Sequence, residues 1–473
     1  MQYKWIALTN TTLTILMASL DTNIVIIALP KISADLHASI LETMWIVLCF
    51  GLVTTIALLS FGRLADMFGR VRLYNIGIII FTGGSLLCGF SESGLELIVF
   101  RSLQAVGAAF LFSNSAAILT DAFDAKERGK ALGLNQVSIV FGSVAGLVLG
   151  GLLTDTLGWR SIFWVNVPIG VFGAVWSYTK LRELGTRTGG RVDWVGNMVL
   201  ALGLLSLFLG VTLGPLQMLS TAQEFLMIFG GIALLVLFVY VESKIEDPMF
   251  DVNLFRIRVF NIGNLSVFFN AVARGALILV MSFYLQGPTM RLSTLESGLY
   301  LIPVSFTMAT FGPISGWLSD KHGSRLFILT GLGVSAVGFL LLTTLQQREG
   351  FVQLMIPLVL IGSGMGMFAA PNRTTVMNSV PPQRRGIASG MTTTLVTLGN
   401  ITSMGISFLI ITRSVPISDL ETIFVGKAAS FSSGLGFVNS IHGIFYLSAA
   451  LLVASMVPTL VERSVRRKDE KAR

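Results

Sequence analysis

The sequence predicts an all-α integral membrane protein: two six-helix bundles with two extra helices between them, fourteen transmembrane helices in all. Three observations carry this. Hydrophobic residues make up 53% of the 473 and charged residues only 12%, with a mean hydropathy of +0.78. Soluble domains carry about 25% charged residues, and a water-soluble chain this apolar would expose large adhesive patches. Apolar runs of about 20 residues, the length that crosses a bilayer as a helix, recur along the whole chain. Finally, short motifs of the first half return in the second at offsets of 254 and 257 residues.

The first run, 5–29, is too long for a signal-peptide core, contains Asp21 and lacks a small-residue cleavage site, so it reads as a span. Runs at 43–62 and 73–90 flank a short basic loop. Those at 95–119, 130–153 and 161–180 complete a first set of six. The runs at 194–214 and 223–242 have no repeat counterpart. A second set follows at 260–285, 296–318, 326–345, 352–377, 386–411 and 436–461. The expected domains are an N-terminal bundle (1–181), a linker with the two inserted helices (182–258), a C-terminal bundle (259–461) and a basic tail (462–473).

An even number of spans places both termini on one side. The segments on that side hold 25 Lys+Arg and the opposite loops six, with Arg101 and Arg274 inside spans. The positive-inside rule then makes the termini cytoplasmic in a cell membrane, and the tail "ERSVRRKDEKAR" can rest on anionic lipid. This placement explains the net charge of +8 without nucleic acid. Cys49 and Cys88 lie in apolar spans and read as small hydrophobes, and His37, His322 and His442 are too far apart for a metal site. No metal, cofactor or catalytic cluster is expected, so the chain does not read as an enzyme.

"GRLADMFGRVRLY" (62–74) and "GWLSDKHGSRLFI" (316–328) share G-x-L-x-D-x-x-G, and "KERGKALG" (126–133) pairs with "QRRGIASG" (383–390). Gly142, Gly146 and Gly150 form a small-residue stripe at i, i+4, i+8 that recurs as Gly399, Ser403 and Ser407, and Gly151 adjoins it. Such faces let helices approach closely. Two parallel repeats around a midplane cavity is the plan of a rocking secondary transporter. No P-loop is visible, which leaves an ion gradient as the energy source.

The motifs resemble the major facilitator superfamily, and specifically its fourteen-span drug:proton antiporter branch. The residues that carry the resemblance are "LDTNIVIIALP" (20–30), "GRLADMFGRVR" (62–72), "RSLQAVGAA" (101–109) and "GWRSIFWVNVPIG" (158–170). The chain departs from the pattern at Asn23, where threonine is common, at Ala105, where the family has glycine, and at Leu147, which replaces the proline of the antiporter motif. The resemblance implies proton-coupled efflux of amphiphilic molecules by a protein expected to act as a monomer. Export or flipping of an anionic lipid or metabolite is the alternative, and a non-transporting scaffold a third.

Within that frame Asp21 is the one carboxylate deep inside a span. Burying it ionised is costly, which makes it a proton or substrate coupling candidate, or else an aspartate held by interhelical hydrogen bonds. Arg101 either faces the cavity and influences neighbouring protonation or staples its helix to carbonyls. Arg274, with Asn270 one turn away on the same face, falls at nearly the depth of Asp21 by the repeat offset. It either pairs with Asp21, awaits an anionic ligand, or is a local structural residue. Gln104, Asn114 and Arg373 are further cavity candidates, Arg373 equally an interfacial cation. Gly62, Asp66, Gly69 and Arg70, with Asp121 as the acid for Arg70, read as a conformational latch, with Asp320 and Arg325 as its repeat counterparts.

Overall fold

The structure, a computed structural model, describes residues 2–471 apart from 125–126, 186–192, 246–247, 249, 288–289, 347–349, 382–383, 417–418 and 421–430. Among the described residues it is entirely helical, and fourteen segments are long and apolar enough to cross a membrane. In chain order the helices are α1 (Tyr3–Asp35), α2 (Ile40–Phe68), α3 (Arg70–Cys88), α4 (Gly94–Ala122), α5 (Arg128–Leu157), α6 (Ser161–Trp164), α7 (Asn166–Lys180), α8 (Trp194–Leu213) and α9 (Thr221–Glu242). There follow α10 (Arg258–Arg274), α11 (Leu277–Gln286), α12 (Thr294–His322), α13 (Ser324–Leu342), α14 (Phe351–Asn378), α15 (Arg385–Ser414) and α16 (Phe431–Lys471).

The internal repeat reappears in the helix boundaries. Helices α2 and α3 return as α12 and α13, and α5 as α15, at the offsets read from the motifs. Each loop-motif turn rests on a glycine with positive φ, Gly69 at +109° and Gly323 at +86°, where a side chain would be strained. Two expected spans are not single helices. The sixth is divided into α6 and α7 at Val165. The ninth is broken after Arg274, where the backbone N–H of Ala276 donates to Ser403 Oγ (2.9 Å) instead of continuing the helical ladder.

The chain forms two compact units. The first takes in the described residues of Met1–Phe250, Met281–Leu299 and Pro416–Ala429. Within it α5 lies along α1, α4 packs between α2 and α3, and α8 and α9 form a hairpin against α2. The α1–α5 contact depends on the glycine stripe. A Cβ on Gly142 would sit 2.6 Å from the Leu16 carbonyl oxygen and one on Gly146 the same distance from that of Leu20. Gly150 meets Ile24 and Ile27 of α1, while Gly151 faces Leu295. The later segment of this unit is held by Gln286, which donates to the Ile27 carbonyl at 2.8 Å, and by the Leu295 N–H, which donates to Asp155 at 2.8 Å. Compactness thus follows packing, not the repeat boundary, and the end of the ninth span belongs with α1.

The second unit takes in Asp251–Val280, Tyr300–Val415 and the described residues of Ser430–Arg473. Here α10 packs against α14, α15 and α16, and α13 against α14 and α16. The counterpart stripe works as in the first unit: a Cβ on Gly399 would lie 2.6 Å from Ala271 Cβ, and Ser403 and Ser407 are buried. The segment expected as a tail continues α16 to Lys471.

Candidate functional site

Asp21 is fully buried at the middle of α1, and two other helices of the first unit converge on its carboxylate. From α4, Arg101 Nη1 donates to Oδ2 at 2.5 Å and Gln104 Nε2 to Oδ1 at 2.8 Å. From α7, Asn166 Nδ2 donates to Oδ1 at 2.8 Å. The Arg101 side chain is 2% exposed, donates also to Gln104 Oε1 (2.7 Å), and lies 4.2 Å over the Phe50 ring of α2. Asn166 reaches Ser85 Oγ of α3 at 3.1 Å, and Ser85 donates to the Phe163 carbonyl at 2.9 Å. The polar groups can meet because the backbones do: a Cβ on Gly84 would sit 2.8 Å from Gln104 Cα, so α3 and α4 touch at this level.

The result is an ion pair removed from water. Each buried ion costs several kcal/mol of desolvation, and the close pairing with added hydrogen bonds offsets that cost. Asp21 therefore finds its counter-charge within its own unit, in Arg101. Two atoms of the network, Arg101 Nε and Asn166 Oδ1, are buried without hydrogen-bond partners among the described residues. Such groups are uncommon in settled cores. Sequence reasoning named Asp21 and Arg101, with Arg274, as coupling candidates and Gln104 as a cavity candidate, but overlooked Asn166, Ser85 and Phe50. Asn166 stands inside the quoted stretch 158–170 and was open to notice; Ser85 and Phe50 carry no sequence signal.

The loop motif builds a second ionic cluster at one end of the first unit. Arg70 Nη2 pairs with Asp66 (2.8 Å), and Arg70 Nη1 donates to both oxygens of Asp121 (2.7 and 2.8 Å). Glu183, absent from the sequence reading, accepts from the Arg70 and Val71 backbone N–H groups at 2.9 and 3.0 Å. It thereby caps α3 and places a carboxylate at the positive end of the helix dipole. Gly62 has open space around it. The repeat copy is not built alike: Asp320 is exposed without an ion pair among the described residues, and Arg325 donates to the Leu460 carbonyl at 3.2 Å.

Asn114 is buried in α4; its amide donates to the Phe110 carbonyl at 2.8 Å, and its Oδ1 is unpartnered among the described residues. Arg373 is exposed on α14. Arg274 ends α10 in the second unit, partly buried, with Asn270 a turn before it.

A repeated helical scaffold with charged side chains buried inside its spans fits a multi-pass membrane transporter. The chain belongs to the Major Facilitator Superfamily, whose family model matches residues 11–404 and 263–473. It is 32% identical over 412 residues to the riboflavin transporter RibZ of Clostridioides difficile, covering 86% of this chain and 88% of that protein. It is 28% identical to the multidrug transporter MdtP of Bacillus subtilis, with 99% and 95% covered. A crystal structure of a bacterial homologue of the human lysosomal transporter Spinster shares the fold, at a TM-score of 0.71 and 16% identity over 97% of this chain and 96% of that one.

Proposed function

We propose that the protein is a proton-coupled exporter of amphiphilic small molecules. It would reside in the cell membrane with both termini in the cytoplasm and work as a monomer by rocking between two access states. The observation that carries the reading is the wholly buried Asp21–Arg101 pair. A carboxylate that accepts three donors when ionised would lose its charge on protonation and leave Arg101 an uncompensated cation on the Phe50 ring. That change in a dry site is large enough to favour a different helix arrangement, which is what coupling requires. Arg70, Asp66 and Asp121 would hold one of the two states, and the looser Asp320 and Arg325 region would take part in the other.

The relatives support small-molecule transport but differ in cargo, one being named for drugs and another for riboflavin. Export of an endogenous anionic metabolite is therefore kept as the second reading, favoured by the arginine at position 274. The test is ethidium efflux from energised cells expressing the wild type or Asp21→Asn, with and without a protonophore. Efflux that the protonophore and the substitution both abolish is expected. Efflux that survives either one would refute proton coupling through Asp21.

A further inference from the structure

The ninth apolar run, 260–285, breaks at Arg274, the charged residue within it. Helix α10 ends at Arg274, and α11 begins at Leu277. The break is pressed onto α15: a Cβ on Gly275 would sit 2.5 Å from Asn400 Cα and 2.8 Å from the Asn400 carbonyl oxygen, and Ser403 takes the Ala276 N–H. Around this point lie three unused polar groups. Arg274 is partly buried and makes no side-chain hydrogen bond or ion pair among the described residues. Asn270, one turn earlier on the same face, is 5% exposed, with its Nδ2 unpartnered among the described residues. Asn400 Oδ1 is buried and unpartnered as well.

A guanidinium, an idle amide N–H₂ and the start of α11 are all donors or positive ends, gathered at a gap in the backbone. Broken helices in transporters present such half-helix N-termini to anionic groups. An arginine with no counter-charge at this depth is unfavourable by itself and becomes favourable when an anion arrives. We propose that Arg274, Asn270 and Asn400 form the site for the anionic group, a carboxylate, sulfonate or phosphate, of an amphiphilic substrate. Arg274 forks onto the anion's oxygens, Asn270 donates to it, and Asn400 Oδ1 accepts from a neighbouring hydroxyl or amine of the same molecule. This rests on the transport reading and gives it a substrate class.

The test uses the purified full-length protein and two dyes of one ring system, anionic fluorescein and cationic rhodamine 6G, followed by fluorescence anisotropy. Wild type should bind fluorescein. Arg274→Gln should weaken that binding about 10- to 100-fold, the worth of a charge-assisted contact, and leave rhodamine 6G binding unchanged. Arg274→Lys, which keeps the charge but not the fork, should lose several-fold and less than Arg274→Gln, and Asn270→Ala should also lose several-fold. Ligand-free Arg274→Gln should melt at or above the wild-type temperature, since it removes an unpaired charge. No fluorescein binding by the wild type, equal binding by Arg274→Gln, or a lowered melting temperature for ligand-free Arg274→Gln would each overturn the proposal, the last by making the arginine structural. Ethidium efflux is scored separately. Intact efflux without fluorescein binding sinks the anion site alone, and intact Arg274-dependent binding without energised efflux supports the site and sinks the export reading.

Discussion

Neutralising Asp21 should destabilise the protein far more than its single atom change implies. At the 2.5 Å separation of Asp21 and Arg101, the Coulomb attraction is about 7 kcal/mol at an effective dielectric of about 20. Desolvating two ions offsets most of that, so the intact pair adds little net stability. Breaking it is different, because Asp21→Asn leaves Arg101 charged, 2% exposed, and facing an amide. The new N–H₂ must also point at Arg101 or at the Gln104 and Asn166 donors. A loss of about 3–5 kcal/mol is expected. Arg101→Gln should cost a similar amount, and the double variant less than the sum, with a coupling energy of about 2 kcal/mol or more. Unfolding in mixed micelles with SDS, followed through the seven tryptophans, measures all four corners of the cycle. An Asp21→Asn protein as stable as the wild type, or strict additivity in the double variant, would show that the pair is not the joint of α1, α4 and α7.

Gly146→Ala should cost about 1–3 kcal/mol, because its Cβ would meet the Leu20 carbonyl oxygen at 2.6 Å and push on the helix that carries Asp21; an unchanged melting temperature would contradict the close α1–α5 contact. Gly230→Ala, in the open interior of α9, should instead stabilise by up to about 1 kcal/mol. Gly323→Ala has equal space but φ of +86°, so it should lose about 1–3 kcal/mol to backbone strain alone; thermal melts of the two alanine variants should move in opposite directions. Arg70→Lys gives up the two-armed grip on Asp66 and Asp121 at a site about one quarter exposed. It should cost about 1 kcal/mol or less in stability while slowing transport several-fold; a melt and a transport rate that fall in proportion would make the cluster merely structural.

Much of this was legible without coordinates because the membrane imposes its own code. Backbone groups in hydrocarbon must be satisfied within the segment, so a long apolar run is a helix whatever surrounds it. The loop motif announced its turn because Asp66, Gly69 and Arg70 act over a few residues, and it marked the repeat because the second turn needs the same positive-φ glycine at 323. The glycine stripe of α5 was readable for a related reason, as one-face spacing in a helix is a local property.

Partnership was not local. Asp21 could have been answered by Arg101 or by Arg274, and the choice fell to Arg101 because α4 packs against α1 within the same unit, with α3 pressed onto α4 at Gly84 and Gln104. Asn166 joined because α7 starts at that depth, and Glu183 because the chain after α7 returns to the start of α3. The break after Arg274 had no sequence signal of its own, since it depends on Ser403 of a distant helix taking the Ala276 N–H. The sequence by itself therefore determined the spans, the repeat and the residues whose charge is out of place in hydrocarbon. Only the tertiary structure decided which of those charges are paired and which stands alone, because hydrogen bonds and Coulomb attraction act over a few ångströms between helices that lie far apart along the chain.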